Sequence, residues 1–173
     1  MARKKLADSV AEHREKSKLS AGVAVITLST SRSLDSDKSG DVLQELLEGG
    51  GHQVLVRKVI PDSRTVLRAT LRELIREKNI HAIITTGGTG LAPLDITIET
   101  VQSMLDKVLP GFNALFMLLS YPQVKSAAML SRALAGTIKG KIIFCLPGSP
   151  RACQLAMESL ILPELGHILM LLR

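Results

Sequence analysis

The chain has 173 residues, enough for one domain that buries roughly 70% of the surface its unfolded form exposes, so neither disulfides nor metal are needed for folding. Apolar residues make up 46% and aromatic ones only 2%, and half of the formal charge of +6 comes from residues 1–20, which hold six basic and three acidic side chains. The mildly basic remainder and the few aromatic rings weigh against nucleic acid as a partner. No apolar run nears the roughly 18 residues of a membrane span, and the polar start lacks the apolar core of a secretory signal, so a cytoplasmic protein is expected. Residues 1–20 read as a basic, flexible tail and 21–173 as one α/β domain.

In chain order, Gly22 to Leu28 reads as a buried strand, followed by a polar loop from Ser29 to Gly40. Val42, Leu43, Leu46 and Leu47 recur at helical spacing until Gly49-Gly50-Gly51 stops the helix. A strand rich in Val and Ile spans about Gln53 to Ile60, and Val66, Leu67, Leu71, Leu74 and Ile75 form the apolar face of the next helix. The apolar run His81-Ala82-Ile83-Ile84 is a third strand, and helical spacing resumes near Thr97. This βαβαβ order implies a parallel sheet with right-handed crossovers. Further on, Ile98, Val101, Met104 and Leu105 suggest a helix ending before Pro110, and the segment from Phe112 to Leu119 is broken by Tyr121-Pro122. Leu134 to Ile138 pairs with Lys141 to Leu146 as a hairpin over Lys139-Gly140, and a last helix starts near Ser149 and is interrupted or kinked near Pro163.

Two turns stand where open α/β sheets bind ligands, outside the carboxyl ends of strands. Thr85-Thr86-Gly87-Gly88-Thr89-Gly90 offers three glycines, whose freedom at positive φ lets backbone N–H groups approach an anion, and threonine hydroxyls as further donors. Leu146-Pro147-Gly148-Ser149-Pro150 repeats that layout, with Ser149 suited to cap the helix and Pro150 to begin it. It reads either as a well-made helix start or as a second anion turn.

Asp62 follows the second strand and Asp95 the third, so both face one sheet edge. Taken singly, Asp62 reads as a helix N-cap and Asp95 as a turn-stabilising residue. Together beside the glycines they read as a magnesium pair, since magnesium prefers oxygen and binds through one or two carboxylates plus substrate phosphates. Glu99 is a weaker third carboxylate.

Other chemistries fail on spacing. The glycines lack the Gly-x-Gly-x-x-Gly order of a dinucleotide fingerprint, and Gly136 to Lys141 is one residue short of a P-loop, with Ile142 where Ser or Thr would hold magnesium. His13, His52, His81 and His167 show no ligand spacing, there is no Gly-x-Ser-x-Gly elbow, and Cys145 and Cys153 read as buried thiols.

Thr85 to Gly90, Asp95-Ile96-Thr97, Pro110-Gly111-Phe112, Leu130-Ser131-Arg132-Ala133 and Leu146 to Pro150 occur in this order. With them, from about Gly22 to His167, the chain resembles the molybdenum cofactor biosynthesis protein B family and its relatives, the molybdopterin adenylyltransferases and the G domain of gephyrin-type proteins. The resemblance implies a three-layer α/β/α sandwich with a mostly parallel central sheet, assembled as a trimer or hexamer. It implies magnesium-dependent transfer of AMP from ATP to the terminal phosphate of molybdopterin, releasing pyrophosphate, with a downstream metal-insertion protein taking the product. Asp62 and Asp95 match the family's catalytic acids, and Thr86, Gly87, Gly88, Thr89 and Gly90, with Arg32, Ser39, Gly148 and Ser149, match ligand-binding segments. Leu94 stands where relatives often carry Arg, Ile98 where Pro is frequent and Ser31 where Asp is common. The alternative expectation is a pterin-binding or scaffold protein of the same pathway with weak or no catalysis.

Overall fold

In the computed structural model, which describes residues 19–172, one six-stranded sheet organises the chain in the order β2-β1-β3-β6-β5-β4. The basic segment expected at residues 1–20 lies, but for its last two residues, outside the described residues. Strand β1 (Gly22–Leu28) is buried along its whole length, because it pairs in parallel with β2 (Gln53–Ile60) on one side and β3 (Ala82–Thr86) on the other. A strand covered on both faces reads as a continuous apolar run rather than an alternating one. Its alternate side chains feed two cores: Val23 and Val25 on one face, Ala24, Ile26 and Leu28 on the other.

Helix α1 (Lys38–Gly49) packs Leu43 and Leu47 into the first core. It starts inside the stretch that the sequence marks as loop, because the Asp37 carboxylate accepts the Gly40 N–H at 3.0 Å and caps it. Helix α2 (Arg64–Arg76) packs Leu67, Leu71 and Leu74 into the second core, joined there by α3 (Thr97–Gln102) through Ile98 and Val101. Helices therefore cover both faces, and the architecture is the expected α/β/α sandwich.

The second half departs from the sequence reading in two places. A two-residue strand, β4 (Lys107–Val108), pairs antiparallel with β5 (Leu134–Ile138); two residues carry no readable period. Helix α4 (Pro110–Val124) runs through Pro122 instead of breaking there. Proline removes one helical donor, and Leu118, whose carbonyl loses it, is 68% exposed, so water is at hand. At the carboxyl end the interruption expected near Pro163 is present: α5 (Pro150–Ala156) passes through a π-helical turn at Met157–Ile161 into α6 (Leu162–Leu171). The widened turn directly precedes Pro163, which has no N–H to offer the Ser159 carbonyl of a regular α-helix. The hairpin of β5 and β6 (Lys141–Leu146) forms as expected, with Lys139 at φ 48° and Gly140 at φ 77°, a two-residue turn of the type that matches strand twist.

The connection after β1 runs to β2 on one side of the sheet and the connection after β3 runs toward β4 on the other, so the loops after β1 and β3 diverge and open a crevice at the carboxyl ends of the parallel strands. At the opposite end, the Nδ1 atoms of His52 and His81 accept the N–H groups of Ala21 (3.1 Å) and Gly22 (3.0 Å), which ties down the entry to β1. Burial lowers the His52 pKa from its ordinary value, so the fold favours the neutral ring. That stability is complete above about pH 6.5 and is lost as pH falls from there through the depressed folded-state pKa. Melting temperature measured across this window is expected to fall on acidification, and to fall less in His52→Asn, which keeps an acceptor but does not titrate.

Candidate functional site

Four loops meet at that edge: Ser29 to Asp37 after β1, Pro61 to Ser63 after β2, Gly87 to Ile96 after β3, and Pro147 to Ser149 after β6. Gly87 adopts φ +94°, and a Cβ there would stand 2.4 Å from the Leu28 carbonyl oxygen. Its N–H donates to the Leu146 carbonyl at 3.1 Å, and its Cα lies 3.2 Å from where a Cβ on Gly148 would be. The two glycine turns are thus in contact. Gly88 also takes a positive φ, +62°, whereas Gly90 does not, so two of the three glycines serve conformation.

The glycine turn is held from one side. The Thr97 hydroxyl donates to the Gly87 carbonyl at 2.8 Å, the Thr97 N–H to the Gly88 carbonyl at 2.9 Å, and Arg132 Nε to the Thr89 carbonyl at 2.8 Å. A trans peptide points its N–H opposite to its C=O, so the amides of Gly88, Thr89 and Gly90 face away from these supports. They donate to no protein group among the described residues. Three consecutive unpaired amides are the donor set from which anion-binding concavities are built.

Both carboxylates lie against this turn. An ideal Cβ at Gly88 would stand 3.3 Å from Asp62 Oδ1 and 2.6 Å from the Thr97 hydroxyl, and one at Gly90 would stand 2.6 Å from Asp95 Oδ2. Asp62 is not the cap of α2; Ser63 fills that place, and Asp62 Oδ2 instead accepts the Thr30 hydroxyl at 3.0 Å. Asp95 does close its own turn, with Oδ2 accepting the Ala92 N–H at 2.8 Å. Among the described residues no group of three or more His, Cys, Asp or Glu is arranged to hold a metal ion.

Several sequence candidates turn out to be supports. The Thr86 hydroxyl is buried and donates to the Pro147 carbonyl at 3.0 Å, which joins the two turns instead of facing a ligand; Thr86 belongs to the strand, where alternate side chains point into the layer. Thr89 is likewise buried, at 4% exposure. Ser39 is buried with its hydroxyl on the Gly148 carbonyl at 3.0 Å, and Arg32 approaches that same oxygen at 3.5 Å from the exposed side. Ser149 caps α5 by accepting the Ala152 N–H at 3.2 Å. Glu99 is engaged by Arg132, 2.7 Å away, and that hydrogen bond holds its carboxyl below the usual range. Burial pushes the thiols up, Cys145 to about 12 and Cys153 to about 11, which leaves both as inert core residues.

Asp37, Arg57, Thr97 and Arg132 position the site but were not singled out as site residues. The Asp37 carboxylate is fully buried and accepts the Thr27 hydroxyl at 2.7 Å and the Gly40 N–H at 3.0 Å. Arg57 reaches its carbonyl at 3.0 Å and Asp41 at 2.7 Å. A charge inside the polar stretch Asp35 to Gly40 was the available signal, but which Asp turns inward depends on β2, distant in sequence.

Fold and crevice together define a doubly wound α/β protein with a row of unpaired backbone amides at its switch point. A family profile described as a probable molybdopterin binding domain matches residues 24–167. The chain is 43% identical over 162 residues, 93% of its length and 95% of the relative's, to molybdenum cofactor biosynthesis protein B of Halalkalibacterium halodurans, and 41% identical over 161 residues, 92% and 95% of the two lengths, to that of Bacillus cereus. Among solved structures, a molybdenum cofactor biosynthesis protein B superposes with a TM-score of 0.87 at 40% identity, covering 90% of this chain and 97% of the other. The tungsten cofactor synthesizing protein MoaB from Pyrococcus furiosus gives 0.80 at 34% identity, over 89% and 98%. The chain belongs to the molybdenum cofactor biosynthesis protein B family.

Gly87→Ala would force a side chain onto the Leu28 carbonyl at a left-handed φ; the backbone strain alone is about 1–3 kcal/mol, and a lower urea midpoint is the expected result. Ser149→Ala is expected to cost about 1 kcal/mol through the lost cap, read in the same denaturation experiment.

Proposed function

We propose that this site serves molybdenum cofactor biosynthesis by transferring AMP from ATP to the terminal phosphate of molybdopterin, with release of pyrophosphate. The observation that carries the reading is the seating of Asp62 Oδ1 and Asp95 Oδ2 against the glycine turn, where side chains at Gly88 and Gly90 would displace them. In the transfer, a phosphate oxygen of the pterin attacks the α-phosphorus of ATP, a new P–O bond forms, and the bond to the bridging oxygen of the β-phosphate breaks. Such chemistry depends on positioning and on neutralising charge.

The amides of Gly88, Thr89 and Gly90 donate to phosphoryl oxygens, and Arg32, exposed beside the Gly148 turn, adds positive charge. Thr97 and Arg132 keep the turn in its donating orientation. Asp62 and Asp95 form an all-oxygen donor pair on the roomy side of two glycines, which fits Mg²⁺, a cation that binds through few carboxylates and keeps waters and substrate oxygens. When bound, magnesium supplies charge neutralisation at the phosphoryl oxygens.

A homo-oligomer, trimer or hexamer, belongs to the same proposal and is supported by the exposed apolar residues Leu115, Leu118, Tyr121 and Val124 on α4. So do a cytoplasmic setting and delivery of the adenylylated pterin to a downstream metal-insertion protein. A second reading, pterin binding without turnover, is favoured by one observation: Asp95 Oδ2 is already held by the Ala92 N–H, beside a Leu94 that is 67% exposed and brings no charge.

Incubation of the protein with ATP, Mg²⁺ and molybdopterin is expected to yield adenylylated pterin and pyrophosphate. Asp62→Asn and Asp95→Asn are each expected to lower kcat by about 10²–10³-fold, the scale of losing one electrostatic stabiliser. Retention of bound pterin with no pyrophosphate released would select the second reading.

A further inference from the structure

The charge outside residues 1–20 is concentrated on one helix. From residue 21 onward the chain carries sixteen basic and thirteen acidic side chains, and residues 64–78 alone hold five basic and two acidic ones, so this stretch accounts for the whole of the remaining excess. Its cations include Arg64, Arg68, Arg72 and Arg76, one every fourth residue along α2, all exposed. Residues four apart lie about 5–6 Å from each other on a helix surface, and twelve residues rise about 18 Å. The four guanidinium groups therefore form a continuous slanting ridge.

Ion pairing within the described residues does not account for that ridge. No carboxylate forms an ion pair with any of the four among the described residues; Glu73 lies 3.4 Å from Lys58 instead. Arg68 donates to the Ser103 hydroxyl at 2.9 Å, and Arg64 lies near enough to Glu99 to act on its carboxylate. Three successive like-charge pairs at four-residue spacing destabilise a helix. Arg64 also occupies the first helical position, with no acidic residue in that turn, where the helix dipole disfavours a cation. Arg76, in the last turn, meets the helix dipole favourably, but the like-charge spacing and the cation at the first position oppose helix stability.

We propose that the arginine ridge of α2 is a docking surface for a partner protein that presents an acidic helix, its carboxylates spaced four residues apart to meet the guanidinium groups in bidentate pairs. Arg favours such forked pairing over the point charge of Lys. A lipid surface fits less well, because none of the exposed large apolar residues falls between 63 and 80 to enter a bilayer. A nucleic acid strand would lack stacking partners, since the three Phe are buried and the single Tyr lies on α4 across the sheet. The ridge begins two residues after Asp62, so a docked partner borders the crevice. The inference does not depend on adenylyl transfer taking place there.

The test uses the full chain and a labelled, alanine-rich helical peptide with four glutamates at four-residue spacing, followed by fluorescence anisotropy. A peptide of the same composition with its glutamates clustered at one end, a short DNA duplex and phosphatidylserine vesicles are the comparison probes. The spaced peptide is expected to bind at least about tenfold more tightly than the clustered one, with affinity falling as salt rises. The double variant Arg72→Gln/Arg76→Gln is expected to lose about tenfold or more of that affinity while melting no lower than the parent. Equal binding of the two peptides, no loss in the double variant, or tighter binding of the duplex or vesicles would overturn the assignment. So would a lowered melting temperature of the variant, which would mean that the arginines stabilise the fold itself.

Discussion

The contact on which the site depends is the close approach of Gly87 to its neighbours. Its missing Cβ lets the chain leaving β3 pass the Leu28 carbonyl at the end of β1 and the Gly148 turn at the end of β6. Any side chain there would push apart the three strand ends that make the crevice. With them in contact, Thr86 can bond across to the Pro147 carbonyl, and Ser39 can close on Gly148 from the first loop. A close-packed interior transmits such a requirement over several residues, because little free volume exists to absorb a displacement.

The division of labour around the turn follows from peptide geometry. Thr97 and Arg132 take the carbonyls of Gly87, Gly88 and Thr89, and the planarity of each peptide then orients the opposing amides without a further interaction. Arg132 is itself steadied by Glu99. Polar side chains at this edge are thus mostly occupied with backbone, and what they leave free is a row of N–H groups and one oxygen, Oδ1, of each of Asp62 and Asp95, whose Oδ2 atoms accept from Thr30 and Ala92. That inventory suits an anionic ligand handled together with a hard cation.

Strength and softness are distributed unevenly across the molecule. The two cores meet at β1, β3 and β6, whose side chains are buried along nearly their whole lengths. By contrast, α4 presents Leu115, Leu118 and Tyr121 to solvent, and α2 presents arginines. One layer thus ends in an apolar face and the other in a charged one, so the two outer surfaces suit different kinds of contact.

The strand-helix alternation, the hairpin at Lys139-Gly140 and both glycine turns were legible in the sequence, because each rests on a local signal: an apolar run, a period, a residue freed from Cβ. Asp62 and Asp95 were legible as neighbours, since parallel strands place their ends on one edge. The two-residue strand β4 and the passage of α4 through Pro122 were not, because each is decided by pairing or solvent exposure that no local window contains. Nor could the sequence tell which polar residues would face outward. Thr86, Ser39 and Thr89 carry the same hydroxyl whether it meets a ligand or a buried carbonyl, and only the approach of chain segments distant in sequence decides which. Residue type and spacing determined what chemistry this edge can hold; tertiary packing decided which of those groups were left free to perform it.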